Sequence, residues 1–227
     1  MKILLTNDDG IDAPGLATLE GVAKEFGEIF VVAPKHHCSG CGHQITFTGP
    51  LETREHGPRR FSVDGTPADC VRLAMAELVG EVDWVLSGIN QGSNLGNDVF
   101  LSGTVAAARE ATWLGQNAIA LSQYHLDKSQ SDWDWSAKLA KELLAQYLQR
   151  KPQSQKFWNI NLPMPLPEHR INVPNVVTCA LDPSGVPASY RLENEIYFMN
   201  NDYHDRPRIA DHDVEVCFGG QISVTEV

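Results

Sequence analysis

Lys2-Ile3-Leu4-Leu5-Thr6-Asn7-Asp8-Asp9-Gly10 opens the chain with an apolar run that stops on two adjacent carboxylates. Ile3, Leu4 and Leu5, followed at once by turn residues, predict a buried strand over residues 2–6. Within a strand, neighbouring side chains point to opposite faces. At a strand end that turns through glycine the alternation breaks, which lets Asp8 and Asp9 converge. Two converging carboxylates repel unless a cation or a proton lies between them. The carboxyl end of a strand is also where α/β sheets bind ligands. The same tetrad fits an Asx-rich turn that needs no cation, and the motif alone leaves both readings open.

Outward from this stretch, Asp12 reads as a helix cap and Pro14 as part of the first turn. Leu16, Leu19, Val22, Ala23 and Phe26 follow at helical spacing, and Gly27 ends the run. A second apolar strand over residues 29–33 closes on Pro34, which completes a right-handed βαβ unit. Residues 45–63 alternate loosely and read as extended structure. Thr66 reads as the next helix cap, with Pro67 in the first turn and Asp69 where a capping box wants an acid. Further strands are expected over residues 84–87, 117–122 and 157–162. Between them lie an alanine-rich helix over residues 105–114 and an amphipathic helix marked by Trp135, Leu139, Leu143, Leu144 and Leu148. This alternation predicts a doubly wound, mostly parallel α/β sheet. After Pro163, prolines and asparagines cluster, and short extended runs at 176–181, 196–199, 214–218 and 221–224 read as β-hairpins. We therefore expect one domain over 1–227, with its core in 1–163. The hairpin-rich extension of 164–227 is expected to serve oligomerisation, because isolated hairpins are marginal without a partner surface.

The 227 residues carry a net charge of −11, which argues against nucleic-acid or membrane-surface binding, since both need positive patches. No signal peptide and no window of membrane-spanning length are recognisable. Five cysteines, an odd and scattered set, fit reduced thiols and a cytoplasmic location. Cys38-Ser39-Gly40-Cys41, flanked by His36, His37 and His43, could be drawn as a zinc site. Such a site usually needs a second ligand pair, and Cys70, Cys179 and Cys217 offer none. A glycine-rich loop with incidental thiols is the preferred reading.

Three loops at strand ends carry oxygen ligands or anion donors. The first holds Asp8 and Asp9, the second Ser39 and Gly40, and the third Asn90; behind the third, Ser102-Gly103-Thr104 opens a helix. Two carboxylates, a hydroxyl and an amide carbonyl are hard ligands that suit Mg²⁺ or Mn²⁺. Ser-Gly-Thr at a helix N-terminus can cradle a phosphate, although it can equally be a plain cap.

Together these motifs resemble the SurE family of metal-dependent nucleoside 5′-monophosphate phosphatases. Thr6-Asn7-Asp8-Asp9-Gly10-Ile11 is similar to its opening motif, and Val32-Ala33-Pro34 with Ser39 to its second. Gly65-Thr66-Pro67-Ala68-Asp69-Cys70-Val71 resembles the third. Ser87-Gly88-Ile89-Asn90-Gln91-Gly92 with Asn94-Leu95-Gly96 resembles the fourth, and Ser102-Gly103-Thr104-Val105-Ala106 the fifth. The resemblance implies a Rossmann-like core and one divalent cation per subunit, Mg²⁺ or Mn²⁺, held by Asp8, Asp9, Ser39 and Asn90. It implies Asp8, Asp9 and Asn90 as catalytic residues. Asn7, Ser39, Gly40, Asn94, Ser102, Gly103 and Thr104 would form the phosphate side. It further implies nucleoside monophosphates or other small phosphate esters as substrates, with 3′-nucleotides and short polyphosphate as extensions. A homodimer or homotetramer with exchanged C-terminal segments completes the expectation. Cys38 departs from the family, which usually has a basic residue there. The C-terminal part matches poorly: His212-Asp213 and Gly220-Gln221-Ile222-Ser223 align only loosely with the family's Thr-Asp and Gly-Tyr-Val-Ser.

Water attacking directly is the expected mechanism, with Asp8 as a covalent nucleophile in second place. His204, Asp205, Asp211 and His212 could supply a proton to the leaving group, although a solvated loop is the preferred reading. Two rivals remain: a nucleotide-sugar transferase, and a nucleotide-binding stress regulator with little or no catalysis.

Overall fold

The computed structural model describes residues 1–127, 131–165, 173–200 and 203–227. The first half alternates as expected: β1 (Lys2–Thr6), α1 (Pro14–Ala23), β2 (Glu28–Pro34), β3 (Thr53–Gly57), β4 (Arg60–Val63), α2 (Pro67–Leu73), β5 (Trp84–Gln91), α3 (Gly103–Trp113) and β6 (Asn117–Gln123). Then come α4 (Trp133–Tyr147), β7 (Trp158–Leu162), β8 (Val176–Thr178), β9 (Tyr190–Glu193), β10 (Ile196–Met199), α5 (Asp213–Phe218) and β11 (Ile222–Glu226). Nine strands form one sheet in the order β3-β4-β2-β1-β5-β6-β7-β11-β8. The run from β4 to β7 is parallel, while β3 and β11 are antiparallel to their neighbours β4 and β7.

Alternation along the strands makes two cores. Ile3, Leu5, Leu86, Ile119, Leu121 and Ile160 pack with α1 and α4. Leu4, Val32, Val85, Ala118 and Ala120 pack on the opposite face with α2 and α3. Each fully buried Leu or Ile contributes roughly 1.5–3 kcal/mol. Ala107, Ala108 and Ala111 of α3 are fully buried, which lets the helix axis approach the sheet. Gly15 allows an equally close approach in α1: a Cβ there would stand 1.9 Å from the Ile89 carbonyl oxygen.

The order matters for function. From β1 the chain winds outward through β2 to the β3–β4 hairpin, then returns to lay β5 on the other side of β1. The strand order therefore reverses between β1 and β5. Connections depart in opposite directions there and leave a crevice at the carboxyl ends. Thr6 pairs with Ser87 across that junction, so Asp8, Asp9 and Asn90 all emerge at its rim.

Several local expectations change. Asp12 does not cap α1; Ala13 is the cap residue, whose methyl offers no acceptor, and Pro14 presets the helical φ of the first turn. The Thr66–Asp69 capping box forms in both directions. Residues 214–218, expected as a strand, are helical. Val214, Val216 and Cys217 mimic alternation, yet Val214 and Cys217 are one helical turn apart and both are buried. The runs at 176–181 and 221–224 do not make hairpins of their own. β11 inserts between β7 and β8 in the large sheet. The hairpin that does form is β9–β10, a separate two-stranded sheet. Tyr190, Leu192, Ile196, Tyr197 and Met199 on it are 57–70% exposed.

Candidate active site

Asn7 shapes the loop after β1. Its Oδ1 accepts from the Gly10 N–H (3.2 Å) and its Nδ2 donates to the Gly10 carbonyl (3.0 Å). Gly10 takes φ +105°, a conformation that favours glycine. The closed loop gives the two neighbouring carboxylates different partners.

Asp8 turns toward α3 and is only 3% exposed. The Thr104 hydroxyl donates to its Oδ1. A Cβ on Gly103 would lie 2.8 Å from the Asp8 Cβ and 3.1 Å from its Oδ2, so glycine is what lets the helix start press on the carboxylate. The Ser102 Oγ caps the helix by accepting the Val105 N–H at 3.1 Å. Burial pushes the Asp8 pKa up; the Thr104 hydrogen bond opposes this, and the charge of Asp9 adds to it. Asp9 turns toward β5. Its Oδ2 accepts the Gln91 N–H at 3.1 Å, and its Oδ1 lies 3.3 Å from Nδ1 of His37. Asn90, next to Gln91, donates through Nδ2 to the Gly92 carbonyl at 2.7 Å. Its carboxamide oxygen is then the atom left for a ligand.

Ser39 and Gly40 stand exposed on the second loop. That loop is tied to the site because the Cys38 N–H donates to the Asp8 carbonyl (2.7 Å) and the Gly42 N–H to the Leu101 carbonyl (2.9 Å). Burial raises the Cys41 thiol to about 12, with Cys38 as a further cause. His43 lies 2.8 Å from Glu110 and stacks on Trp113. Among the described residues, no three His, Cys, Asp or Glu side chains gather in a metal-holding group.

Two predicted phosphate residues face inward. The Asn7 amide is engaged with Gly10. The Asn94 N–H donates to Asn161 Oδ1 (2.8 Å) and its Nδ2 to Ser122 Oγ (2.7 Å), while its carbonyl accepts from Asn159 and Asn161. Both shape loops around the site. His204 lies against Tyr124, 2.7 Å from its hydroxyl, and His212 sits at the start of α5.

A family model described as "Survival protein SurE" matches residues 3–182. The chain belongs to the SurE family. A protein of Geotalea daltonii named "5'-nucleotidase SurE" is 44% identical over 179 residues, which cover 78% of this chain and 71% of that one. One of the same name in Roseobacter denitrificans is 35% identical over 246 residues, covering 99% and 92%. The crystal structure of the SurE protein from Aquifex aeolicus superposes with a TM-score of 0.86 at 31% identity, over 100% of this chain and 93% of that one. The family match ends at residue 182, yet the structural match continues to the end of the chain. The C-terminal segment of this SurE chain thus keeps the fold beyond the end of the family match.

That segment holds the site from behind, which sequence reasoning missed. The buried Asp213 accepts the Gly96 N–H (2.7 Å) and the Asp182 N–H (2.8 Å). Asp98 accepts from Arg206 (2.7 Å) and from the Tyr203 hydroxyl (2.5 Å), and that hydroxyl also lies 3.0 Å from Ser93 Oγ. These contacts anchor the loop that follows Asn90 and leads into α3. No local signal could have paired Asp98 with a residue 108 positions later. Among the described residues, no helix is long and apolar enough to cross a membrane.

Proposed function

We propose that this SurE chain is a 5′-nucleotidase that hydrolyses nucleoside 5′-monophosphates with the help of one divalent cation. One observation carries the reading: at the β1/β5 reversal, the Asp8 carboxylate, the Thr104 hydroxyl and the N-terminus of α3 meet. The names of the SurE relatives support the activity.

The residues fit a hard cation. Asp8 and Asp9 are adjacent, and among the described residues His37 is the only basic side chain at ion-pair distance from either. Asp8, Asp9, Ser39 and Asn90 offer only oxygen donors, which suits Mg²⁺ or Mn²⁺ over zinc. Bound there, the cation would neutralise phosphoryl charge and acidify water. The chain's own groups do the rest. The backbone N–H groups that open α3 hold the phosphoryl oxygens. Gln91 fixes Asp9, and Thr104 fixes Asp8. Attacking water gives its proton to the Asp8 carboxylate. Asn7 and Asn94 act by shaping the loops. Release of phosphate from 3′-nucleotides and short polyphosphate is proposed as a secondary activity, and the cytoplasm as the location.

The test is phosphate release from purified protein across nucleotides and simple esters. Mg²⁺ or Mn²⁺ should sustain turnover of 5′-monophosphates, and chelator should remove it. Turnover undiminished in chelator would refute the cation; phosphate-free binding of a monophosphate would favour the regulator. We further propose a dimer or tetramer built through β9–β10, whose apolar side chains have no cover within the described chain. Light scattering that shows a strict monomer at micromolar concentration would refute this.

A further inference from the structure

The groups described so far hold an anion and a cation, and none of them reads the rest of a nucleotide. Beside Asp9 a cavity of about 170 Å³ opens between the end of β5, the first turn of α1 and the start of α4. Asp9, Pro14, Gly15, His37, Gln91 and Trp133 line it. Its volume equals that of about six waters, well short of the roughly 300 Å³ at which whole-ligand pockets begin. It has room for one ring system, with the remainder of a ligand outside it.

The lining is preorganised. Among the described residues, the Gln91 N–H donates to Asp9 Oδ2 (3.1 Å), and its Nε2 donates to Ser131 Oγ (2.8 Å). Trp133 is half-buried. Its ring reaches the α1 backbone, since a Cβ on Gly15 would lie 3.0 Å from its Cη2. The His125 ring packs edge-on against it at 6.4 Å. The charge on Asp9 disfavours a second anionic group in the cavity, whereas a neutral planar ring meets an indole and a carboxamide. Such a ring would then lie one carboxylate away from the proposed phosphate position at α3.

We propose that this cavity is the nucleobase subsite, with Trp133 stacking on the base and Gln91 hydrogen-bonding its edge. The proposal rests on the nucleotidase reading above. It makes Trp133 a specificity residue, in a chain whose phosphate-binding groups do not distinguish a nucleotide from any other phosphate ester.

Ribose 5-phosphate is the probe, because it keeps the sugar phosphate and lacks the base. The ratio of kcat/KM for AMP and UMP to that for ribose 5-phosphate isolates the base. Trp133→Leu should lower this ratio roughly five- to a hundredfold, the range measured for stacked bases, and mainly through KM. Trp133→Phe should restore most of it. A ratio unchanged in Trp133→Leu, or two rates that fall in parallel, would overturn the proposal. A second measurement needs no turnover: adenosine should quench the indole emission of the wild type, and Trp133→Phe should remove most of that quench. Absence of quenching, or quenching that persists in the variant, also overturns it. If the wild type releases phosphate from none of these esters, the nucleotidase reading fails, and the adenosine titration still decides the cavity.

Discussion

Asp8→Ala is expected to lower kcat for nucleoside 5′-monophosphates by about 10³-fold or more, while the protein remains folded. Removal of a single transition-state hydrogen-bond donor typically costs about 10²–10³ in rate. In the proposed mechanism Asp8 does more, as both a cation ligand and a proton acceptor. Stability should move the other way. In the metal-free protein Asp8 is a buried carboxylate beside another carboxylate, and burial followed by the Asp9 charge raises its pKa against the opposing Thr104 hydrogen bond. A raised acid is harder to ionise in the folded state than in the unfolded one. The metal-free wild type therefore loses stability as pH climbs from the ordinary aspartate range toward the raised value, and the loss is complete above it. Asp8→Asn removes that ionisation and should flatten this part of the stability curve in chelator. Urea midpoints for wild type and Asp8→Asn, measured with chelator across the acidic range, check the sign. Equal slopes would show that Asp8 carries no such strain. A site that is inactive yet more stable once its acid is removed is the usual trade between function and stability.

What the sequence disclosed follows the range of the physics involved. β1, α1, β2 and the Thr66–Asp69 capping box depend on residues within a few positions of one another, and their patterns are legible. The reversal of strand order at β1 and β5 was legible only as a class of fold, because alternation fixes the layers but not which edge of β1 receives β5. Asn7 and Asn94 stand in the right motifs, yet their amides face the protein. A motif marks a position on a loop and says nothing of which way the amide turns. The insertion of β11 between β7 and β8, and the helix at α5, depend on contacts with distant strands. Five short residues with mixed apolar spacing carry too little periodicity to choose between helix and strand.

The Asp98–Arg206 pair is the strongest case of such a distant contact, and breaking it should destabilise the protein by about 3–5 kcal/mol. The Arg206 side chain is 0% exposed and Asp98 is 18% exposed. Burial works to neutralise the guanidinium, but Asp98 more than compensates and the net direction of the Arg206 pKa is up. Tyr203 donates to the same Asp98 oxygen, and its own ionisation is pushed far up, first by burial and then by the Asp98 charge. The two halves of the pair are unequal. Arg206→Met leaves a carboxylate that still has the Tyr203 hydroxyl, the Leu95 N–H at 3.3 Å and some solvent. Asp98→Ala strands a fully enclosed cation whose Nε already lacks a partner among the described residues. Asp98→Ala should therefore be the costlier change, near the upper end of the range, and Arg206→Met near the lower. Either is a large fraction of the roughly 5–15 kcal/mol that holds a domain folded. The double variant Asp98→Ala with Arg206→Met should cost less than the sum, because the second change removes the charge that the first left unpaired. Urea unfolding of the three variants closes the cycle, and strict additivity would mean that the two groups do not act together. Because Asp98 and Tyr203 grip the loop that runs from Asn90 to α3, kcat/KM for nucleotides should fall in both single variants even at temperatures where they stay folded. The C-terminal segment then contributes to turnover with no atom at the reacting phosphate, by holding the loop against the sheet.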